Sequence, residues 1–252
     1  MSDSMGRVVR LPLARHAGPA GDTLARTAAS IGSSVARLTE EPGGVVDDWG
    51  RDPDLARMMV ALTHLRWSVA VGGDQQLPKR TGALICVNAR PLAQSTVLAA
   101  FAISDATDRP VRYVGRPDGG PIGALAQRLG ALLAQPEEVA GALADGSLVV
   151  MSAAAARGGR NVGTIDHSLI GAAVATSTSV YPTAVVSSPM MRDARVEVGA
   201  PRRARGIRRG PLAELELADR VRNDVTGMLD ELGDVGTGTP LDWLPSGLSG
   251  GN

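Results

Sequence analysis

A short run of five residues, Ala83 to Val87 (ALICV), most constrains how this chain can fold. All five are apolar, which is typical of a strand buried on both faces of a sheet. The run breaks at Asn88 into a loop, and the loop leads into an apolar helix from about Ser95 to Ala102. A strand followed by a loop and a helix indicates a layered fold with helices packed on a sheet.

Segments with strand and helix patterns continue along the chain. Strands are predicted at 67–71, 111–114, 147–152, 180–186 and 195–198, and helices at 53–65, 121–133, 137–144, 165–175 and 211–232. A length of 252 residues suits one α/β domain with accessory helices. We therefore predict an α/β fold with a mixed, mostly parallel central sheet flanked by helices, and with N-terminal and C-terminal helical segments.

The ends of the chain differ in pattern from its middle. Residues 1–21 are rich in Gly, Pro and Arg and predict a flexible tail, and 233–252 predict a second one. Between them, 22–46 hold an N-terminal helix with one apolar face, and 47–232 form the α/β domain. The apolar face could pack on the core, dimerise or lie on a membrane, and its polar face, mostly Ser, Thr and Ala, favours packing.

Charge and composition exclude several classes of function. The chain has 26 basic and 26 acidic residues, so its net charge gives no reason to expect a nucleic-acid partner. No paired-cysteine site, H-E-x-x-H helix or nucleotide-binding glycine motif is present, and we expect neither a metal nor a cofactor. The only cysteine, Cys86, lies in the apolar strand, where a buried small hydrophobic side chain is expected rather than a reactive thiolate.

Targeting signals are equally absent from the sequence. The first residues contain no apolar stretch of signal-peptide length, and no run approaches the roughly 20 apolar residues of a membrane span. Five arginines, at 202, 203, 205, 208 and 209, precede the last predicted helix and form either a solvated loop or a basic contact for a membrane. We expect a cytoplasmic protein or one peripheral on the inner membrane face.

The loop after the ALICV strand carries the first resemblance to a known family. Asn88, Ala89, Arg90 and Gln94 stand where the glycerolipid and lysophospholipid acyltransferase family has its Asn-His-x-x-x-x-Asp motif. In that alignment Ala89 takes the place of the histidine and Gln94 that of the aspartate. The segment therefore resembles an acyl-transfer site whose two catalytic residues have been replaced.

Other phrases of the chain resemble the same family and extend the likeness from about Asp47 to Leu232. Asp52-Pro53 resembles the acidic entry to the helix before the motif, and Arg128-Leu129-Gly130 resembles an Arg-x-x-Gly phrase after it. The run 180–186 resembles the family's Val-Pro-containing strand. The likeness implies the family's fold and a 1-acylglycerol-3-phosphate acyltransferase-like architecture.

A second signature of the family has also been replaced. The predicted strand at 147–152 ends in four residues, Met151, Ser152, Ala153 and Ala154, where the family has Phe-Pro-Glu-Gly. Arg157 and Arg160 follow, where family members carry small and basic residues that meet the substrate phosphate. The resemblance implies that Arg90, Arg157 and Arg160 form an anion pocket for a phosphate or for coenzyme A, and solubility is the alternative role of these arginines.

The lost pair has a direct chemical consequence. An alcohol that attacks a thioester needs a base to accept its proton, and a carboxylate orients that base. Alanine and glutamine do neither. The other histidines do not replace them, since His16, His64 and His167 have no acidic residue five positions later. Asp166 and His167 are adjacent, so their side chains diverge on a helix, and a capping or surface histidine is expected.

Three hypotheses of function follow. The first is a catalytically degenerate acyltransferase-like protein that binds acyl-CoA, a lysophospholipid or an active acyltransferase partner, or forms a homo-oligomer, with weak contact to a membrane surface. The second is an active acyltransferase that moves an acyl group from acyl-CoA to a lysophospholipid or glycerol phosphate with a non-standard base. The third is an interaction scaffold that works through its terminal helices.

Overall fold

The computed structural model describes residues 46–89, 94–155, 162–187, 192–204 and 210–233. Six α-helices lie in these ranges: α1 (Pro53–Arg66), α2 (Gln94–Thr107), α3 (Gly120–Arg128), α4 (Pro136–Ala144), α5 (His167–Ala175) and α6 (Pro211–Leu232). The strands are β1 (Ser68–Gly72), β2 (Ala83–Val87), β3 (Val111–Val114), β4 (Ala131–Leu132), β5 (Leu148–Ser152), β6 (Ser179–Ser187) and β7 (Asp193–Val198). A 3-10 turn, Asp74–Gln76, follows β1.

The seven strands form one sheet in the order β1-β7-β6-β2-β5-β3-β4. Every neighbouring pair is parallel except β6 and β7, which run antiparallel. The ALICV strand β2 lies at the centre, where β5 and β6 flank it. The predicted fold class is therefore confirmed: an α/β fold with a mixed, mostly parallel sheet and helices around it.

Two apolar layers cover the sheet, one on each face. In β2, Leu84 and Cys86 point into the layer that α4, α5 and α6 complete, while Ile85 and Val87 point into the layer that α2 completes. None of these four side chains exposes more than 1% of its surface. Burial on both faces explains why β2 is continuously apolar instead of alternating.

Helix α1 begins where the sequence predicts. Asp52 is its N-cap, and the carboxylate accepts hydrogen bonds from the backbone N–H groups of Asp54 and Leu55. The other oxygen of Asp52 accepts from Arg128 Nη2 at 2.8 Å. The cap thus joins the start of α1 to the end of α3.

The predicted helix 121–133 is wrong at its C-terminal end. Helix α3 stops at Arg128, and Gly130 adopts a φ of +92°, a left-handed conformation that ends a helix at little cost for glycine. Residues Ala131–Leu132 then pair with Tyr113 and Val114 as the edge strand β4. The apolar residues at 131 and 132 fill the sheet edge rather than a helix face.

Other boundaries agree closely with the prediction. The bounds of β2, β3 and α6 are as predicted, while α2 continues to Thr107, five residues beyond its expected end. The predicted tail 1–21, the predicted helix 22–46 apart from Val46, and the predicted tail from Asp234 onward lie outside the described residues. In the described part of the chain, no helix combines the length and apolar character needed to cross a membrane.

Candidate functional site

The site predicted from the sequence falls at one edge of the sheet. Strands β2, β3, β5 and β6 are mutually parallel, and their C-terminal ends define what we call the carboxyl edge; the opposite side, where they begin, is the amino edge. Loops at the carboxyl edge of a parallel sheet are the usual place for ligand binding. Asn88 leaves β2 there, and Ala153 leaves β5 beside it.

Asn88 has a structural role in this arrangement. Its side-chain amide donates to the Val185 carbonyl at 3.0 Å and accepts from the Val185 N–H at 2.7 Å, which extends the pairing of β2 and β6 by one side chain. Its own carbonyl accepts from the hydroxyl of Ser95 at 2.6 Å. Because Asn88 is only 5% exposed and both ends of its amide are occupied, it has no free group for chemistry.

The neighbouring motif positions add no base. Ala89, which the sequence resemblance places at the family's histidine, is a half-exposed residue with a methyl side chain. Gln94 is the first residue of α2, and its side chain lies outside the described part of the structure, as does Arg90. Arg157 and Arg160 also lie outside it, so the three-arginine anion pocket stays a prediction.

The segment that the sequence resemblance places at the family's second signature, residues 151–154, is closely packed against its surroundings. Met151 is buried in the core layer formed with α5 and α6, and Ser152 is half-buried. The Ala153 N–H donates to the Val87 carbonyl at 2.8 Å, and the Ala154 N–H donates to the Thr164 carbonyl at 2.8 Å. A Cβ added to the neighbouring Gly163 would lie 2.1 Å from the Ala154 carbonyl oxygen, so this close approach requires glycine.

These residues form one wall of a cleft of about 670 Å³ at the carboxyl edge. The ends of β3 and β5, the start of α5 and the first half of α6 enclose it. Most of the lining side chains are apolar, and the polar ones are few. The apolar wall includes Val114, Ala134, Met151, Ala153, Ile165, Leu169, Leu215 and Ala218, and the polar side chains are Ser152, Thr164, Asp166, His167 and Asp219.

The start of α5 contributes the titratable groups of the cleft. The Asp166 carboxylate caps the helix by accepting from the Ser168 N–H at 2.9 Å and from the Ser168 hydroxyl at 2.7 Å. Hydrogen bonding from the Ser168 hydroxyl lowers the pKa of Asp166, although burial opposes the shift. Asp166 is thus the N-cap of α5, and His167 is exposed at the rim of the cleft, as expected for a surface histidine.

A histidine–aspartate pair exists elsewhere in the fold. His64 Nε2 lies 3.0 Å from the Asp105 carboxylate, with about half of each side chain exposed. Asp105 is eleven residues after the start of α2, or about 16 Å along the helix from Gln94. The pair therefore lies near the amino edge, away from the replaced motif, and sequence spacing could not indicate it because 41 residues separate the partners.

The remaining candidate residues are placed as follows. Cys86 is fully buried, as predicted, and burial raises the pKa of its thiol, which keeps it protonated. Arg202 forms an ion pair with Asp224 at 2.6 Å, so one member of the arginine cluster is already neutralised. Within the described ranges, no three His, Cys, Asp or Glu side chains come together as a metal-binding group.

Only one wall of the cleft, the β5 end from Met151 to Ala154, was predicted from the sequence. The side chains that face this wall from α5 and α6 were not predicted. Leu215, Ala218 and Asp219 follow an ordinary amphipathic helical pattern, which predicts a buried face without saying what that face encloses.

The fold and the cleft together define an α/β domain with a mostly apolar cleft at the carboxyl edge of its sheet. This fold is similar to the crystal structure of the 1-acyl-sn-glycerophosphate (LPA) acyltransferase PlsC from Thermotoga maritima. The TM-score is 0.53 at 12% sequence identity, and the similarity covers 83% of this chain and 91% of the other. The chain thus has an acyltransferase-like fold.

Sequence comparisons gave no matches. No protein-family model matches the chain, and no curated protein matches it. The likeness to PlsC is therefore one of three-dimensional structure, and at this identity it defines the fold alone.

Proposed function

We propose that this protein is a non-catalytic member of the acyltransferase-like fold that binds an acyl-bearing ligand, acyl-CoA or a lysophospholipid, in the carboxyl-edge cleft. The proposal rests on the two residues that follow β2, because neither of them offers a general base. The side-chain amide of Asn88 is hydrogen-bonded to the backbone of Val185, and the next residue, Ala89, has no side-chain group that accepts a proton. A positioned general base contributes about 10²- to 10⁴-fold to such a reaction, and this position supplies none.

The cleft supports the binding part of the proposal. Its volume of about 670 Å³ is within the range of typical ligand pockets, which is about 300–1,000 Å³. Val114, Ala134, Ala154 and Leu215, which are partly or fully exposed, offer apolar surface to an acyl chain. Each methylene that leaves water contributes about 0.8 kcal/mol, so a short buried segment of chain is enough for useful affinity.

Acyl transfer tests the loss of catalysis. We expect the purified protein to move no more radiolabelled acyl group from acyl-CoA to a lysophospholipid than a heat-killed sample does. Native mass spectrometry of the same preparation should show a bound acyl-bearing ligand. Transfer above the heat-killed control would overturn the non-catalytic assignment, and a protein that neither retains nor takes up such a ligand would overturn the binding assignment.

Two matched substitutions on α6 test the location. Leu215 lines the cleft and is 45% exposed, while Leu212, one turn earlier, is 83% exposed and does not line it. Leu215→Glu places a carboxylate against the acyl chain and should weaken acyl-ligand binding by at least about tenfold. Leu212→Glu should bind like the wild type. Equal effects of the two substitutions would move the ligand away from this cleft.

One observation favours a second candidate, an active acyltransferase with a non-standard base. His167 lies at the rim of the cleft, and an imidazole is the usual general base near neutral pH. If transfer is detected, His167→Ala should abolish it while Leu212→Glu leaves it intact. Transfer that survives His167→Ala would exclude this histidine as the base.

A further inference from the structure

A second cleft, of about 460 Å³, lies at the amino edge of the sheet. It is bordered by the segment that precedes β2, by the turns that follow α4 and α5, and by the start of β6. Its lining shares no residue with the carboxyl-edge cleft. Any ligand that it takes is therefore bound at a separate site from the acyl-bearing ligand proposed above.

The charge of this cleft is predominantly positive. Arg80 and Arg203 line it, and neither forms an ion pair with a carboxylate in the described part of the chain. Asp145 is the single acidic side chain of the lining, and one of its oxygens accepts a hydrogen bond from Trp49 Nε1 at 3.2 Å. The lining thus carries two guanidinium groups and one carboxylate, and that carboxylate already accepts a hydrogen bond from Trp49.

A third arginine fixes the wall of the cleft. The guanidinium of Arg109 donates to the carbonyls of Pro78, Thr81 and Gly146, with distances of 3.2 Å to Thr81 and 2.7 Å to Gly146. These bonds hold the segment before β2 against the turn before β5. The cleft is therefore shaped before any ligand arrives, which lowers the cost of binding.

The helix ends at this edge do not need the arginines as caps. After α4, the carbonyls of Gly141, Ala142 and Leu143 accept from the backbone N–H groups of residues 145, 147 and 146. After α5, the carbonyls of residues 172, 173 and 174 accept hydrogen bonds from the backbone N–H groups of residues 176, 178 and 177, respectively. Because backbone donors already satisfy these six carbonyls, capping of them does not account for Arg80 and Arg203.

Hydroxyl groups complete the lining. Arg203 Nε donates to the Ser179 hydroxyl at 2.7 Å, which orients the guanidinium, and Ser179 is only 8% exposed. Thr81 adds a hydroxyl at the rim, whereas the Thr176 hydroxyl already donates to the Ala172 carbonyl at 2.9 Å and lies 2.9 Å from the Thr178 hydroxyl. Tyr181 also lines the cleft, and burial raises the pKa of its phenol, so this group remains a protonated donor at neutral pH.

We infer that the amino-edge cleft binds a phosphate monoester, with Arg80 and Arg203 on the phosphate oxygens and the hydroxyls of Thr81 and Ser179 as further donors. Forked guanidinium donors match the oxygens of a phosphate, and several converging donors suit its three terminal oxygens better than the two of a carboxylate. The volume left beside the phosphate admits a small organic group. Both a soluble phosphate ester and a lipid headgroup have this chemistry.

Calorimetric titration of the full chain with phenyl phosphate and with inorganic phosphate tests the inference. We expect the wild type to bind phenyl phosphate, more weakly as salt is added because the contact is electrostatic. Arg80→Gln and Arg203→Gln should each weaken binding by about tenfold or more, since each removes charge-assisted hydrogen bonds. Arg80 makes no hydrogen bond to other described residues, so Arg80→Gln should fold normally, and the melting temperature checks both variants.

Two controls complete the design. Arg57→Gln removes the same charge from an exposed arginine on α1 that pairs with Asp54 in its own helix, and it should bind phenyl phosphate like the wild type. Leu215→Glu should do so as well, which separates this site from the acyl cleft. Absence of binding to both soluble probes and to vesicles would overturn the inference, and so would Arg80→Gln and Arg203→Gln variants that bind like Arg57→Gln.

A vesicle arm distinguishes the two sources of the phosphate. Phosphatidylcholine vesicles with and without phosphatidic acid are sedimented with the wild type and with Arg80→Gln. Binding that needs both phosphatidic acid and Arg80, without binding of phenyl phosphate, assigns the site to a lipid headgroup. Binding of phenyl phosphate that needs Arg80 assigns it to a soluble ester.

Discussion

Two glycines show how strongly the surroundings of a single residue decide the effect of adding one methyl group. A Cβ at Gly163 would lie 2.1 Å from the Ala154 carbonyl, whereas a Cβ at Gly227, inside α6, would meet nothing within 4 Å. We expect Gly163→Ala to lower the free energy of unfolding by about 1–3 kcal/mol, because the backbone at the cleft wall must shift. Gly227→Ala should raise it by about 0.5–1 kcal/mol, because alanine is the better helix former. Denaturant titration of both variants checks this, and equal signs would contradict the close approach at Gly163.

A second prediction concerns Asn88, whose side chain bridges β2 and β6. Asn88→Asp replaces the donor to the Val185 carbonyl with a buried carboxylate oxygen, so the free energy of unfolding should fall by about 2–4 kcal/mol near pH 7. Burial of the new carboxyl group raises its pKa in the folded state above the unfolded value of about 3.9. The folded state then binds more protons than the unfolded state, so part of the lost stability should return as the pH falls.

The control for this substitution is Asn223→Asp, which makes the same change at an exposed position of α6. We expect it to alter the free energy of unfolding by less than about 0.5 kcal/mol at either pH. Denaturant titrations near pH 7 and near pH 5 measure both variants. A cost for Asn88→Asp no larger than that for Asn223→Asp would mean that the bridge to Val185 does not hold β2 and β6 together.

The Asp52 carboxylate links two helices, because it caps α1 and pairs with Arg128 at the end of α3. Asp52→Ala removes both the cap and the pair with Arg128, while Asp52→Asn keeps a capping oxygen and loses the charge. We expect Asp52→Ala to lower the free energy of unfolding by about 1–3 kcal/mol and Asp52→Asn by less, as measured by chemical denaturation. Equal losses for the two variants would assign the whole effect to the ion pair.

The pH dependence of this cap has a defined sign. Burial tends to raise the pKa of Asp52, but hydrogen bonds from the Leu55 N–H and from Arg128 outweigh it and leave the pKa below its usual value. The stability that the carboxylate contributes is therefore fully present above the unfolded pKa of about 3.9 and is lost as the pH falls through the folded pKa. The difference between the wild type and Asp52→Ala should shrink in that acid range.

Which elements could be predicted depends on how local their causes are. The apolar run of β2 and the Asp52-Pro53 start of α1 are local signals, and both predictions are confirmed. The end of α3 depends on Gly130 and on an open sheet edge that accepts residues 131 and 132, which helical periodicity does not show. The role of Asn88 depends on a partner 97 residues away, so the sequence indicated its place in a motif but not its bonds.

The central sheet separates two clefts, one at its carboxyl edge and one at its amino edge. The carboxyl-edge cleft is mostly apolar, while the amino-edge cleft is lined by arginines and hydroxyl groups, and no lining residue is common to both. The buried strands of the core lie between them, with β2, β5 and β6 running from one edge to the other. The sheet thus keeps two clefts of different chemistry apart.

This separation predicts additive stabilisation by the two ligands proposed above. A ligand that binds only the folded state at about 100 times its Kd stabilises that state by about 2.7 kcal/mol. Because the two sites share no residues, a lysophosphatidylcholine, which carries no phosphate monoester, and phenyl phosphate, each at that excess, should together contribute about 5.4 kcal/mol. Thermal and denaturant unfolding with neither, either and both ligands measures the sum. In Leu215→Glu the acyl contribution alone should disappear, and in Arg80→Gln the phosphate contribution alone. A combined stabilisation well below the sum would show that the two edges of the sheet are coupled or that both ligands compete for one site.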